Sequence, residues 1–421
     1  MVLRKSLVQF WLCIILISLF INIYPQEKFP KREFRGAWIA SVGNIDWPVS
    51  NRAGTEEQIR TLKEQLSRLK EAGINVVILQ VRTECDALYK SSYEPWSYWL
   101  TGEQGKAPEP FFDPLEIAVK ESHKLGMEIH AWFNPYRAVR STETYQVSDN
   151  HISKKHPGWI LTFGKYKMLN PGIPEVRDYI TSIVKEVVTN YDIDGIHFDD
   201  YFYPFKPKVS GEDLVTFKNY NNGINNIDDW RRYNINTLVA QVYDTINALK
   251  PFVKFGISPF GIVQNHYAGT SGFSSYDNLY CDPLTWIKDK TIDYIIPQLY
   301  WEIGKKAADY KALLPWWASV KGDRHLYIGH YSSKFLNNNW KDKTEIGRQI
   351  IMNRNDSSIS GSAFFSSRTV TNNVSGFADS LSNNFYKYPA LLPVMTWKDS
   401  IAPLPPVNLR CSSDSLGASA R

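Results

Sequence analysis

From Phe34 onward, short apolar runs alternate with stretches in which apolar residues recur every three or four positions. The first pattern suits buried strands and the second amphipathic helices, so their alternation predicts βα units around a parallel sheet. Eight runs carry the strand pattern: 34–41, 75–82, 128–135, 195–201, 254–261, 292–300, 325–331 and 360–367. Between the first two, Ile59, Leu62, Leu66 and Leu69 fall on one helical face, and Gly73 supplies the stop. Between the third and fourth, Pro174 can open a helix whose apolar face reads Val176, Ile180, Ile183, Val184 and Val187. Eight such units in about 350 residues predict an α/β fold, a (β/α)₈ TIM barrel with insertions.

The connections after strands two, three and four (83–112, 136–173 and 202–229) far exceed the usual few residues. Those returning from helix to strand are short. The long loops therefore gather on the C-terminal face, where barrels build their sites.

Residues 1–26 combine Arg4 and Lys5 with an apolar run from Leu7 to Ile23 and a polar break at Pro25 and Gln26. A membrane span needs about 20 apolar residues. This run is slightly shorter and holds Gln9 and Asn22, so it reads as a secretory signal peptide, and the protein is expected to be exported. Membrane contact is expected only through this segment if it stays uncleaved. Residues 30–397 form the barrel domain, and 398–421, with Pro403, Pro405 and Pro406, read as a linker into the truncated start of a further module. Without Cys13 of the leader, Cys85, Cys281 and Cys411 remain, an odd number with no evident disulfide framework. The core must hold the fold.

Composition narrows the partners. The 421 residues are 43% hydrophobic and 22% charged, which supports a large core and excludes a disordered or fibrous chain. The net charge is only +5 and no basic tract occurs, so no nucleic-acid partner is expected. The 14 Trp, 24 Tyr and 21 Phe exceed what a core usually asks, a hint of flat apolar ligands such as sugar rings. No Gly-rich phosphate loop and no Gly-x-Ser-x-Gly elbow appears, so nothing calls for a nucleotide, and no cofactor is expected. The oligomeric state is left open.

Strand parity then collects polar residues at the C-terminal ends. Gln80, Arg82 and Glu84 share parity with Val76 and Ile78; His130, Trp132 and Asn134 share one face, as do His197, Asp199 and Tyr201, and Gln298 and Tyr300. Polar side chains converging on a barrel axis are costly to bury without partners, and a site explains them economically. The densest stretch runs from Asp194 to Tyr201, where Asp199 is the candidate catalytic carboxylate and Asp200 a second acid or an orienting group. Asp200 should point aside unless the strand has already turned into its loop. Cleavage of a glycosidic bond commonly uses two acids, one to protonate the departing oxygen and one to attack or to activate water. Glu302, following Tyr300 and Trp301, is the preferred partner, with Glu84 and Asp86 as further candidates for substrate contact or catalysis. His130, His197 and His330 end three strands and suit hydrogen bonding to sugar hydroxyls. They also raise the alternative of a metal-dependent hydrolase or deacetylase, although no His-x-His or HExxH pair is present. Trp132, Tyr136, Tyr201, Tyr203, Tyr300 and Trp301 offer ring faces to pyranoses.

Taken in order, Phe34 to Trp38, Gln80 to Arg82, Asp86 to Tyr89, His130 to Pro135, Asp194 to Tyr201 and Pro297 to Trp301 resemble the motifs of the glycosyl-hydrolase-like 10 family of exported bacterial barrels. The resemblance runs from Phe34 to about Trp397. It implies glycoside hydrolysis in the periplasm or outside the cell, and one member type cuts peptidoglycan glycan strands that have lost their stem peptides. The segment before Tyr201 is also similar to the Asp-Gly-x-Arg-x-Asp stretch of α-amylase-like barrels, whose nucleophile place Asp199 takes. Chitinase-type barrels end this strand with an acid where this chain has Tyr201, which speaks against substrate-assisted chemistry.

The expectation is thus an exported glycoside hydrolase acting on a carbohydrate substrate of the cell envelope. Asp199, Glu302 and Asp200 are its catalytic candidates. Arg82, Glu84, Asp86, His130, Trp132, Asn134, His197, Tyr201, Gln298, Tyr300, Trp301 and His330 are candidates for binding. A glycan-binding barrel without catalysis is the rival from another class.

Overall fold

Eight parallel strands close on themselves in chain order, each followed by a helix that returns the chain to the start of the next strand. The computed structural model describes residues 29–337, 340, 342–401 and the strands Cys411–Asp414 and Gly417–Ala420. The strands are β1 Phe34–Ile39, β2 Val76–Arg82, β3 Glu128–Phe133, β4 Gly195–Phe198, β5 Lys254–Ile257, β6 Tyr294–Ile295, β7 His325–His330 and β8 Ile359–Phe364. The helices are α1 Thr55–Glu71, α2 Pro114–Lys124, α3 Pro174–Asn190, α4 Ile227–Leu249, α5 Pro283–Lys288, α6 Tyr310–Val320, α7 Glu345–Asn355 and α8 Ser367–Thr371. The predicted TIM barrel is the observed fold. The leader at 1–26 and half of the predicted linker lie outside the described residues.

Helix boundaries follow the chain's own chemistry. Asp113 caps α2 by accepting from Glu116 N–H, with Pro114 in the first turn, and Asn226 caps α4 through the N–H groups of Asp228 and Asp229. Leu62, Leu66 and Leu69 of α1 and Val176, Ile180, Ile183, Val184 and Val187 of α3 are buried against the outer face of the sheet. Each large aliphatic side chain so buried contributes about 1.5–3 kcal/mol. Ala37, Val77, Leu79, Ile129, Ile196 and Ile257 meet them from the strands.

The opposite parity fills the barrel. Phe34, Trp38, Val76, Ile78, Trp132, Tyr294 and Tyr327 form a second cluster there, with Phe34 stacked on Tyr327 at 3.9 Å between centroids. Gly256 makes room for this packing: a Cβ built on it would lie 2.1 Å from the Tyr294 ring.

Several predicted strands overshoot at their C-terminal ends. Pro135, Pro259 and Pro297 follow the observed ladders closely and have no N–H to extend them. Beyond them pairing survives only as single bridges, such as Phe260 with Gln298 and Gln298 with Gly329. The long loop after β3 carries its own antiparallel sheet of Arg137–Val139, Ile160–Phe163 and Tyr166–Leu169. A further long connection, 258–282 after β5, was not anticipated. Its Phe273 stacks on Phe205 of the loop after β4 at 5.0 Å.

Candidate active site

The ladder of β4 ends at Phe198, so the strict alternation that would have turned Asp200 away no longer applies. Asp199 and Asp200 both line a cavity of about 320 Å³ at the C-terminal mouth of the barrel. Trp38, Trp132, Tyr201, Phe205, Phe260 and Tyr300 supply its aromatic walls.

Asp199 is held by three donors. Trp132 Nε1 gives a hydrogen bond of 3.0 Å to Oδ2, Asn134 Nδ2 donates to the same oxygen, and the Tyr201 N–H donates to Oδ1 at 3.2 Å. Asn134 is itself fixed, because its Oδ1 accepts from Gln80 Nε2 at 2.7 Å and from the Arg137 guanidinium. Gln80 Oε1 in turn accepts the N–H groups of Ser41 and Val42, each at 3.0 Å. Side-chain hydrogen bonds thus run laterally from the end of β1, across β2 and β3, to the carboxylate after β4.

The two acids differ electrically. Burial pushes the Asp199 carboxyl up to about 6, with the Arg137 cation and the three donors opposing the rise. Burial raises Asp200 well above the usual carboxylate range, and the neighbouring Asp199 charge adds to it. Asp200 Oδ2 is buried with no hydrogen-bond partner among the described residues. Both carboxyls are thus pushed toward the protonated form, Asp200 further than Asp199, and such a separation between two neighbouring acids is the pattern that acid–base hydrolysis uses.

Trp132, Asn134, Tyr201, Gln298 and Tyr300 line the same cavity. Gln298 Nε2 donates to the Ser258 carbonyl at 2.8 Å, and Tyr300 stacks on Tyr331 at 5.0 Å. The other expected residues stand elsewhere. Glu302, the preferred acid partner, is half-buried near Lys334 and does not line the cavity, where Asp200 stands beside Asp199. Trp301 packs edge-on against Phe260 at 5.3 Å and supports the wall from behind.

Arg82 is displaced from the axis by a register shift in the β2–β3 pairing between Gln80 and Arg82, which ends the alternation. Its guanidinium is fully buried, grips both oxygens of Glu94 at 2.8 and 2.6 Å, and donates to the carbonyls of Asn134 and Pro135. It braces the end of β3 and does not face the cavity. Glu84 accepts from Trp99 Nε1 and the Arg140 N–H, while Asp86 accepts from Thr83 Oγ1 and the Glu84 N–H. Both are buried in the loop after β2, where they order backbone.

The histidines fall into two groups. His130 Nδ1 and His197 Nδ1 meet the Tyr294 hydroxyl at 2.7 and 3.1 Å inside the barrel, below the cavity. Burial keeps His197 neutral, so Nδ1 donates to Tyr294 while Nε2 accepts from Trp38 Nε1 at 3.3 Å. His330 has the outward parity of Leu326 and Ile328 and bonds Gln349 of α7 at 2.8 Å. The three do not converge, and among the described residues no group of three His, Cys, Asp or Glu is placed to hold a metal ion. Tyr136 and Tyr203 are core residues, the latter donating to Asp213.

Sequence reasoning missed Arg137, whose guanidinium stands 4.9 Å from the Tyr201 ring centroid and beside Asn134. It lies beyond Pro135, where strand parity carries no signal. Phe205 was missed for the same reason, whereas Phe260, Tyr331 and Phe365 fall inside predicted strands whose observed ladders end earlier, at Ile257, His330 and Phe364.

A closed eight-stranded barrel with a paired-carboxylate cavity at its C-terminal mouth defines the class, a TIM-barrel glycoside hydrolase. The family model for Glycosyl hydrolase-like 10 matches residues 33–344, and the chain belongs to that family. It is 42% identical to the glycosyl hydrolase YngK of Bacillus subtilis (strain 168), over 98% of this chain and 84% of that one. To the glycosyl hydrolase DigH of Escherichia coli (strain K12) it is 41% identical, over 70% of this chain and 72% of that one. The glycoside hydrolase domain of PgaB (BpsB) from Bordetella bronchiseptica shares the fold, with a TM-score of 0.53 at 13% identity over 84% of this chain and 98% of that domain.

Proposed function

We propose that this glycoside hydrolase is exported and cleaves glycan strands of the bacterial cell envelope, namely peptidoglycan strands without stem peptides. Asp200 is the proton donor in this reading, and Asp199 is the anionic group that serves the anomeric centre. The observation that carries it is the pairing, within one aromatic cavity, of two buried carboxyls, of which Asp200 is pushed further toward the protonated form than the hydrogen-bonded Asp199. Asn134, Gln298, Tyr201 and Tyr300 supply hydroxyl partners and ring faces. The walls carry mostly ring surface and little charge beyond Asp199, Asp200 and Arg137, which suits a bare saccharide better than a peptide-bearing one. The leader-like residues 1–26 support export.

Incubation with denuded and with peptide-bearing peptidoglycan strands, followed by mass analysis, tests this reading. Muropeptide-free fragments with new reducing ends are expected from the denuded strands. Retention of strands without new ends would identify a binding protein instead.

A further inference from the structure

Asp199 and Asp200 are the only acids that line the cavity among the described residues. They are consecutive, with α-carbons about 3.8 Å apart, and both approach a bound sugar from the end of β4. A glycosidase with a protein nucleophile sets its two carboxyls about 5–5.5 Å apart on opposite sides of the scissile bond, and an inverting one leaves about 6.5–9.5 Å for water. Neighbours on one strand end are poorly placed to flank a bond in this way. If Asp200 protonates the leaving oxygen, the attack on the anomeric carbon must come from another group.

Asp199 is built to hold rather than to attack. An ionised carboxylate offers about four acceptor positions, and Trp132, Asn134 and the Tyr201 N–H take three of them. These bonds disperse its charge and fix its orientation, leaving room for one more N–H. Apolar side chains of Trp38, Ala40, Val42 and Trp132 line the cavity with it and suit a methyl group.

We propose that hydrolysis is substrate-assisted: the substrate is a 2-acetamido-2-deoxy glycan, its own acetamido oxygen is the nucleophile, Asp199 holds the acetamido N–H, and Asp200 is the acid. This rests on the glycoside hydrolase reading above. In the first step the acetamido oxygen bonds to C1 as the C1–O glycosidic bond breaks, and the Asp200 proton passes to the departing oxygen. The resulting oxazolinium ion keeps its N–H on the Asp199 carboxylate. In the second step water adds to C1, gives a proton to Asp200, and the C1–oxazoline oxygen bond breaks to restore the acetamide. The anomeric configuration is retained and no ester forms on the protein. Tyr201 in place of an acid is then no obstacle, because Asp200 stands in the cavity beside it.

The test uses the wild-type protein on denuded peptidoglycan strands, on the same strands chemically N-deacetylated, and on strands re-acetylated afterwards. Rates on the deacetylated strands should fall at least about a hundredfold and return on re-acetylation. The fresh product anomer, followed by NMR, should show retention, and a 2-methylthiazoline analogue of N-acetylglucosamine should inhibit competitively. Equal rates on acetylated and deacetylated strands, an inverted product, or a sugar trapped on Asp199 by a 2-fluoro glycoside would overturn this mechanism while leaving the hydrolase intact. Failure to cut any strand would overturn both.

Discussion

Gln80 donates its side-chain N–H to Asn134 Oδ1 across 2.7 Å, and that bond decides which way the Asn134 amide faces. With its oxygen committed to Gln80 and Arg137, Asn134 presents its NH₂ to Asp199. The orientation of the β4 carboxylate is therefore set partly by a residue two strands away, which is anchored to β1's exit through Ser41 and Val42.

Gln80→Glu keeps the shape but cannot donate to Asn134 while ionised. The Asn134 amide is then free to turn its oxygen toward Asp199. We expect kcat to fall about 10–100-fold, as for the loss of one oriented donor, with little change in the thermal midpoint. An unchanged kcat would show that the lateral chain does not position Asp199.

The Asp199 carboxyl, raised to about 6 by burial, must be ionised to accept the substrate N–H or to serve as a base. Activity should lose its acidic limb near pH 6, and Arg137→Gln, which removes the opposing cation, should move that limb upward by about one pH unit. The stability sign is opposite to that of a salt-bridged Asp. Because the folded value exceeds the ordinary 3.8, the favourable contribution is complete below pH 3.8 and is lost as pH rises toward 6. Asp199→Asn should therefore gain about 2.5 kcal/mol relative to the wild type between pH 4 and pH 8, measured by urea unfolding at both values. A difference independent of pH would contradict this.

Gly256 faces the Tyr294 ring at a distance that no Cβ tolerates, and Tyr294 is pinned by His130 and His197. Gly256→Ala should destabilise the barrel by about 3 kcal/mol. Gly158→Ala, with open space around it, should cost little. Denaturant midpoints that did not separate the two would show that the barrel interior can relax around Tyr294.

The Arg82–Glu94 pair is wholly buried. Glu94→Gln leaves the guanidinium charge without its counterion and should cost about 3–5 kcal/mol. The change should also loosen the Asn134 and Pro135 carbonyls that Arg82 holds, so kcat should fall along with the midpoint. A stable, fully active variant would show that Arg82 does not brace the site.

All eight strands and the long rim loops after β2, β3 and β4 were readable from period and length, because the outer parity is mostly apolar. Asp199, Asn134, Trp132 and Gln298 were readable by the same parity at the strand ends. Legibility failed wherever alternation stopped: at the register shift that turns Arg82 aside, beyond Pro135 where Arg137 lies, and at His330, whose outward parity went unassigned. Glu302 misled because an acid near a barrel rim looks alike in sequence whether or not its loop turns inward.

The most direct measurement is release of new reducing ends from denuded peptidoglycan strands by wild type, Asp200→Asn and Glu302→Gln, with folding checked by thermal melting. Loss of about 10²–10⁴-fold in Asp200→Asn, with Glu302→Gln close to wild type, is the expected result. A fully active Asp200→Asn variant, or an inactive but folded Glu302→Gln variant, would contradict the assignment of the β4 acids.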